Sequence, residues 1–167
     1  MSVCFFAKER YGKKGTYMVL KEYDGDLFSI NDRDTYYAQG ISADFVMKKG
    51  ISVKFNMAYN TRERLVAKYG NYLNKWDSTN DNSQGFCILE DKVLNLVIKR
   101  DYRDQPTLLA VSMAFFEMRR IIISKNIKLV SMQRIGCGLE GLNWEDVKQQ
   151  LEIALEDTDV TIKVYRT

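Results

Sequence analysis

The chain has 167 residues, 46% of them hydrophobic, which suits one domain with a full apolar core. Its formal net charge is +3, which is too small to indicate a nucleic-acid-binding protein by itself but is compatible with a phosphate-bearing ligand. The sequence contains no histidine, so a Ser-His-Asp or Cys-His catalyst and a His-ligated metal are excluded.

Cysteine usage and hydropathy give expectations about the compartment. Cys4, Cys87 and Cys137 are far apart and form no Cys-x-x-Cys pair, so neither a disulfide framework nor a zinc site is expected. The cytoplasm is therefore the expected location. No run of about 18 apolar residues exists, which predicts no transmembrane helix and no membrane partner. Residues 1–15 lack the long apolar core of a signal peptide.

Two strands and a helix are predicted in the first third of the chain. The apolar segments at residues 17–22 and 36–42 favour strands, and the second of them leads into a glycine-containing loop. A helix is predicted after Gly50, with three apolar residues on one face, which are Ile51, Phe55 and Ala58.

A second short helix, a polar loop and two more strands follow. Thr61 is predicted to cap the helix, and Gly70 is predicted to end it. Residues 74–84, which include Asp-Ser-Thr-Asn-Asp-Asn-Ser at 77–83, predict a surface loop. Residues 86–89 and 93–98 predict two strands that are joined by a short turn.

The last third of the chain alternates helices with apolar strands. A helix is predicted over residues 105–124, with Pro106 in its first turn, because apolar residues recur three and four positions apart. These residues are Leu108, Val111, Phe115, Met118 and Ile122. A strand over residues 127–132, a helix capped by Asn143 and a strand over residues 160–165 complete the pattern. This alternation indicates a three-layer α/β/α sandwich.

The loop of residues 134–140, Arg-Ile-Gly-Cys-Gly-Leu-Glu, lies between a predicted strand and a predicted helix. Ligands of α/β sheets bind beyond the carboxyl ends of strands. Gly136 and Gly138 permit positive φ angles and a close approach of backbone N–H groups to an anion. A short Gly-x-Gly segment is equally typical of a plain strand-to-helix turn, so the pattern alone leaves both interpretations open.

Other segments contain candidate site residues. Asp26 could accept a hydrogen bond from an exocyclic amine, although a turn residue is the ordinary interpretation. Lys48 and Lys49 could meet a diphosphate, although most lysine pairs are solvated. Lys99 ends a predicted strand, where it could attack a carbonyl or an anomeric carbon, and a snorkelling lysine is the alternative.

Taken together and in this order, four segments resemble the macro domains, and among them the small ones similar to terminal ADP-ribose protein glycohydrolase. The segments are residues 25–28 (Gly-Asp-Leu-Phe), 41–51 (Ile-Ser-Ala-Asp through Gly-Ile), 98–107 (Ile-Lys through Pro-Thr) and 131–145 (Ser-Met-Gln-Arg-Ile-Gly-Cys-Gly-Leu through Asn-Trp-Glu). The resemblance implies a macro domain over residues 16–167 with a mixed central sheet. Residues 1–15 would be an N-terminal extension that could add a strand.

The resemblance also implies an ADP-ribose site that needs no cofactor and no metal. Asp26 would hold the adenine amine, with Leu27 beside it. The first phosphate-contacting loop would contain Ile41, Ser42, Gly50 and Ile51. The second loop would wrap the diphosphate and the distal ribose, and it contains Arg134, Ile135, Gly136, Cys137, Gly138 and Leu139.

Two residues would carry catalysis in this resemblance. Lys99 falls on the family's catalytic lysine, which attacks the anomeric carbon of the distal ribose. Glu140 falls where those hydrolases have an aspartate that helps to resolve the lysine adduct. Glutamate is one methylene longer, and a small misplacement of a catalytic group lowers the rate. The first loop also departs from the family's Met-Gly-Ala-Gly, because residues 47–50 are Met-Lys-Lys-Gly.

Three hypotheses about function follow. The first is an ADP-ribosyl hydrolase that removes ADP-ribose from acidic side chains or nucleic-acid bases, or that deacylates an acylated ADP-ribose. The second is a non-catalytic ADP-ribose reader, and the presence of Lys99 favours the first over it. The third is a nucleic-acid-binding protein with no ADP-ribose role, which the small net charge does not support. The expected partner is ADP-ribose or an ADP-ribosylated macromolecule, including a nucleic acid, and a monomer is expected.

Overall fold

A computed structural model describes residues 3–7, 17–29, 33–73, 76 and 84–166, with the first of these segments described by its backbone. Of the loop predicted at residues 74–84, residues 76 and 84 are described, and the rest lies outside the described residues. The strands are β1 (Val3–Ala7), β2 (Val19–Asp24), β3 (Tyr36–Ser42), β4 (Phe86–Glu90), β5 (Val93–Lys99), β6 (Leu129–Gln133) and β7 (Thr161–Arg166). The helices are α1 (Ile51–Tyr59), α2 (Thr61–Tyr69), α3 (Leu108–Lys125) and α4 (Trp144–Leu155), and a 3-10 turn covers Leu27–Ser29.

The strands form one mixed sheet in the order β1-β2-β7-β6-β3-β5-β4. The five inner strands are parallel to one another, and β1 and β4 pair antiparallel at the two edges. The prediction of an α/β sandwich with a mixed central sheet is therefore confirmed. Because the inner strands are parallel, their carboxyl ends meet at one edge of the sheet.

Both faces of the sheet are covered, and β5 shows this most clearly because all seven of its residues are buried. Leu94, Leu96 and Ile98 pack into the large core cluster beneath α3 and α4. Val93 and Val97 point to the opposite face, where they join two smaller clusters that include residues of α1 and α2. A strand buried on both faces is typical of a parallel sheet between two helical layers.

The predicted inward face of α3 and the predicted N-cap of α4 are confirmed. In α3, Val111, Phe115, Met118 and Ile122 are buried and Leu108 packs against them. In α4, Asn143 is the N-cap and its side chain accepts a hydrogen bond from the Asp146 N–H. Predicted strands and observed strands differ by one or two residues at their ends.

Two predicted helix starts are wrong. The N-cap of α2 is Asn60, which is in the left-handed conformation and also ends α1. One residue therefore serves both helices, and the Thr61 hydroxyl instead donates to the Phe55 carbonyl. The N-cap of α3 is Thr107, whose side chain accepts from the Ala110 N–H at 3.1 Å. Pro106 lies before the cap, where an extended residue is favoured, and not in the first turn.

The predicted inward face of α1 is only partly correct. Phe55 is fully buried, but Ile51 is half-buried and Ala58 is exposed. The Phe55 and Tyr59 rings both lie against the Tyr37 ring of β3, at 5.8 and 6.0 Å between centroids. The helix therefore rests on the sheet through its aromatic residues, because their large apolar surface gains most from burial.

No helix within the described ranges is both long enough and apolar enough to cross a membrane.

Substitution Gly85→Ala should destabilise the fold strongly. A Cβ atom on Gly85 would lie 1.8 Å from the Ala110 carbonyl oxygen and 2.6 Å from the Ala114 nitrogen, so β4 and α3 would have to separate. We expect the free energy of unfolding in urea to fall by about 3 kcal/mol or more. Gly138→Ala is the control, because nothing lies within 4 Å of its added Cβ. Equal urea midpoints for the two variants would contradict this packing.

Candidate active site

A cleft of about 570 Å³ opens at the edge of the sheet where β3, β5 and β6 end. Eleven of the residues that the sequence predicts for the site line it. They are Ile41, Ser42, Gly50, Ile51, Lys99, Arg134, Ile135, Gly136, Gly138, Leu139 and Glu140. Residues that are 99 positions apart in the sequence, such as Ile41 and Glu140, therefore share one cavity.

Lys99 and Glu140 form an ion pair in this cleft. The Lys99 Nζ lies 3.1 Å from the Glu140 Oε1, and the two side chains are 10% and 27% exposed. Lys99 also donates to the Tyr102 carbonyl oxygen at 3.0 Å. The second Glu140 oxygen, Oε2, is buried without a hydrogen-bond partner among the described residues. An ammonium and a carboxylate are thus held in contact, largely out of water and at the wall of a ligand-sized cavity.

A shift in strand register places Ser42 at the same point. β3 and β5 pair in step as far as Ile41 and Val97, and Ser42 then lies opposite Lys99 because the register shifts by one residue. Irregularities of this kind are common next to active sites, where they redirect a side chain. The shift brings the start of the first loop beside the Lys99 backbone.

The second loop turns tightly between β6 and α4. Gly136 has a φ of 73°, and its carbonyl accepts a hydrogen bond from the Leu142 N–H at 2.9 Å. The Cys137 N–H donates to the Arg134 carbonyl at 3.1 Å, so the turn itself uses that donor. Gly136 uses the positive φ that a glycine permits, whereas Gly138 does not. Gly138 instead begins a second turn, in which the Gly141 N–H donates to the Gly138 carbonyl at 3.2 Å.

The first loop presents the N-terminus of α1 to the cleft. The N-cap of α1 is Gly50, which has no side chain to accept hydrogen bonds from the first N–H groups of the helix. Ile51 and Ser52, in the first turn, line the cavity. Uncapped N–H groups at a helix N-terminus attract anions. Lys48 and Lys49 are exposed at the same wall, which adds positive charge. This end of the cleft therefore suits phosphate.

Glu22 fastens the second loop to the body of the domain. Its Oε1 accepts from the Trp144 Nε1 at 2.6 Å and lies 3.7 Å from Arg134, and its Oε2 accepts from Lys148 at 3.1 Å. The Arg134 guanidinium also lies 5.5 Å from the centre of the Trp144 ring. The residue pattern of β2 contains a signal for this role. Glu22 shares a strand face with the buried Met18 and Leu20, and a carboxylate on an apolar face needs a partner.

Asp26 and Leu27 do not line the cleft. Asp26 is exposed, and its Oδ1 accepts from the Phe28 N–H at 3.0 Å. Leu27 is 1% exposed and packs into a core cluster, so any contact with a ligand would fall to its backbone. Both residues follow β2, whose carboxyl end lies at the same edge of the sheet as the cleft.

Cys137 points away from the cavity and packs against the large core. Its Sγ lies 3.3 Å from the Ile135 carbonyl oxygen and donates to it. The pKa of the Cys137 thiol is raised to about 11, mainly by burial, while Arg134 lowers it and Glu140 raises it by smaller amounts. The thiol is therefore protonated at neutral pH and is a poor nucleophile.

No group of three or more His, Cys, Asp or Glu side chains in the described part of the chain is arranged to hold a metal ion.

Comparison with known proteins identifies the fold. No family profile matches the chain. The macrodomain of DarG from Thermus aquaticus superimposes with a TM-score of 0.71 at 20% identity, covering 90% of this chain and 99% of that one. The chain is a macro domain.

Two groups of curated relatives match this macro domain. Human ADP-ribose glycohydrolase OARD1 is 29% identical over 144 residues, which cover 84% of this chain and 87% of the human protein. A DNA ADP-ribosyl glycohydrolase of Mycobacterium tuberculosis is 33% identical over 125 residues, which cover 72% of this chain but 35% of the mycobacterial protein. The macro domain thus spans about one third of the mycobacterial relative and most of the human one.

Alkylation of the macro domain with iodoacetamide should report the protonated state of Cys137. Its thiol should react at pH 8 about 100-fold more slowly than a free thiol with a pKa of 9.0, because only the thiolate attacks. The rate should rise as the pH approaches 11. Peptide mapping by mass spectrometry measures the rate at each pH, with free cysteine as the control. A plateau near pH 9 would contradict the burial of this thiol.

Proposed function

We propose that this macro domain is an ADP-ribosyl hydrolase in which Lys99 is the nucleophile and Glu140 is the acid–base group. The observation that carries the proposal is the contact between the Lys99 Nζ and the Glu140 Oε1 at 3.1 Å, inside a cleft between two anion-binding loops. A reader needs the loops but has no use for a buried ammonium–carboxylate pair at the end of the cavity.

The layout of the sheet edge supports ADP-ribose as the ligand. Asp26 follows β2, the second loop follows β6, and Lys99 ends β5. β2 and β5 are four strand positions apart, which corresponds to about 19 Å. This separation suits a ligand with an adenosine at one end, a diphosphate at the centre and a second ribose at the Lys99 end. A mononucleotide would leave one end of the site empty.

The proposed chemistry uses the two side chains in turn. Glu140 takes a proton from the Lys99 ammonium, and the free amine attacks the anomeric carbon of the distal ribose. The bond from that carbon to the modified group breaks, and its electron pair leaves with the modified group, which takes the proton from Glu140 and so returns Glu140 to a carboxylate. Glu140 then assists water in releasing Lys99 from the ribose adduct, which restores the ammonium and frees ADP-ribose.

The names of the relatives support the same class of reaction. The human relative is an ADP-ribose glycohydrolase, and the mycobacterial relative acts on ADP-ribosylated DNA by its name. We therefore propose as substrate an ADP-ribose joined to an acidic side chain or a nucleic-acid base, or an ADP-ribose acylated on the anomeric oxygen of its distal ribose. The exposed Lys48, Lys49 and Arg103 at the cleft suit a polyanionic carrier as well as a protein.

Calorimetric titration with ADP-ribose, run beside a time course on ADP-ribosylated substrates, tests the proposal. We expect micromolar binding of ADP-ribose, weaker binding of AMP, and release of ADP-ribose from glutamate-modified protein or from modified DNA. Lys99→Ala should lower the release rate about 1000-fold or more while ADP-ribose still binds, because the nucleophile acts only in the chemical step.

Lys99→Arg is the matched control for Lys99→Ala. Arginine keeps the positive charge opposite Glu140, but it does not lose its proton and so is no nucleophile. It should bind ADP-ribose and fail to release it. An active Lys99→Arg variant would remove Lys99 from the nucleophile role. Binding without release by the wild-type protein on both substrates would instead favour the reader.

Asp26→Ala should weaken ADP-ribose binding about tenfold, because one charge-assisted hydrogen bond to the adenine amine is lost. Ribose-5-phosphate has no adenine, so its affinity should not change. Asp24→Ala is a matched control, because Asp24 is two residues away and contacts Arg166 at 3.2 Å. If Asp26→Ala weakens both ligands equally, or if neither changes, Asp26 does not contact adenine.

A further inference from the structure

We propose that Asp44 is a positioning residue that aims the Lys99 ammonium through the backbone of Tyr102. Asp44 does not line the cleft, yet its carboxylate joins the loop after β3 to the loop after β5. The proposed effect of Asp44 on catalysis rests on the proposed hydrolysis, whereas the proposed placement of Lys99 by Asp44 does not.

One oxygen of Asp44 closes the loop that follows β3. Asp44 Oδ1 accepts hydrogen bonds from the Ser42 hydroxyl and from the Val46 N–H, the latter at 3.1 Å. The turn between them is tight, because the Phe45 N–H donates to the Ser42 carbonyl and Phe45 has a φ of 56°. A positive φ costs energy in a bulky residue, so the surrounding bonds must hold this turn in place.

The other oxygen of Asp44 holds the loop that follows β5. Asp44 Oδ2 accepts from the Tyr102 N–H at 3.1 Å, and the Tyr102 carbonyl accepts from the Lys99 Nζ at 3.0 Å. The chain of contacts therefore runs from Asp44 through one residue to the ammonium group. The Ala43 N–H also donates to the Lys99 carbonyl at 2.9 Å, which fixes the two loops side by side.

These contacts require a carboxylate. Its two oxygens accept three hydrogen bonds from donors on opposite sides, whereas an amide has one acceptor oxygen and would turn N–H groups toward a donor. Lys99 is a long and flexible side chain, and its two anchors are Tyr102 and Glu140. Without Asp44 the first anchor is released, and Lys99 is directed by Glu140 alone.

A second aspartate braces the same loop without reaching Lys99. Asp101 accepts from the Arg103 N–H at 3.0 Å, and its own N–H donates to Asp104 at 3.2 Å. Like Asp44, it is half-buried. Asp101→Asn removes a negative charge from the same loop but keeps its hydrogen bond, because the amide oxygen can still accept from the Arg103 N–H. It therefore controls for the loss of charge, whereas Asp44→Asn also breaks the connection to Lys99.

The first measurement does not depend on turnover. The intact protein is treated with an acetylating N-hydroxysuccinimide ester, and the modification rate of Lys99 is compared with that of exposed Lys48 by mass spectrometry. We expect Asp44→Asn to raise the relative rate of Lys99 about fivefold, because one hydrogen-bonded anchor is lost. Asp101→Asn should leave it unchanged. An unchanged rate in Asp44→Asn, or an equal rise in both variants, would overturn the proposal.

The second measurement separates positioning from binding. Asp44→Asn should lower kcat for ADP-ribose release by about 10- to 100-fold with little change in KM, because misplacing the amine affects the chemical step. Ser42→Ala removes the hydrogen bond from Ser42 to Asp44 but leaves the bond from the Tyr102 N–H to Asp44. Because Ser42 lines the cleft and the link to Lys99 is kept, this variant should change KM more than kcat. A rise in KM with unchanged kcat in Asp44→Asn would overturn the role of Asp44.

The outcomes also distinguish the two proposals. If the wild-type protein releases no ADP-ribose but Lys99 still becomes more reactive in Asp44→Asn, the positioning contact stands and the hydrolase proposal fails. If circular dichroism shows that Asp44→Asn does not fold, Asp44→Glu replaces it, since glutamate keeps both oxygens. If Asp44→Glu matches the wild type in Lys99 reactivity and in kcat, the requirement for a carboxylate is supported. If Asp44→Glu also fails to fold, Asp44 contributes to stability alone and the positioning role is overturned.

Discussion

Parallel pairing of β3 with β5 and β6 is the constraint on which the site depends. Parallel strands end at one edge of the sheet, so the loops that follow them must share that edge. The loop after β3 provides the N-terminus of α1, the loop after β5 surrounds Lys99, and the loop after β6 ends at Glu140. A change in the register of β5 would therefore separate Lys99 from the N-terminus of α1 and from Glu140.

The ion pair between Lys99 and Glu140 interacts strongly, but both side chains must be held in place by neighbouring hydrogen bonds. Partial burial removes water from Lys99 and Glu140, which strengthens their attraction but also raises the cost of leaving either one without its partner. Hydrogen bonds must therefore fix both ends. Tyr102 holds the lysine through its carbonyl oxygen. The turn at Gly136 holds the loop that leads to Glu140, and this turn is attached to the body of the domain by the contacts of Glu22 with Trp144 and Arg134.

In the proposed function, the groups that attract phosphate differ from the groups that carry out the chemical step. Anion attraction comes from backbone N–H groups and from exposed Lys48 and Lys49, which are fixed or fully solvated and need no proton transfer. The chemical step is assigned to groups at the wall where β5 ends. Under the proposed function, turnover can therefore change while ADP-ribose binding is kept.

The sequence by itself predicted the alternation of helices and strands and the two loops, because periodicity and glycines are local signals. The candidate pair Lys99 and Glu140 came from the resemblance of short motifs to the macro domains. Helix caps were predicted less well: Asn60 serves two helices, and no propensity scale anticipates a shared cap. The tertiary structure alone decided the shift that sets Ser42 opposite Lys99 and the contacts of Asp44 and Glu22. These contacts join residues 58 to 126 positions apart, and one of them reaches Lys99 through a backbone carbonyl, a group that every residue carries. Only the packing of the strands against one another determines which of those carbonyls meets a lysine.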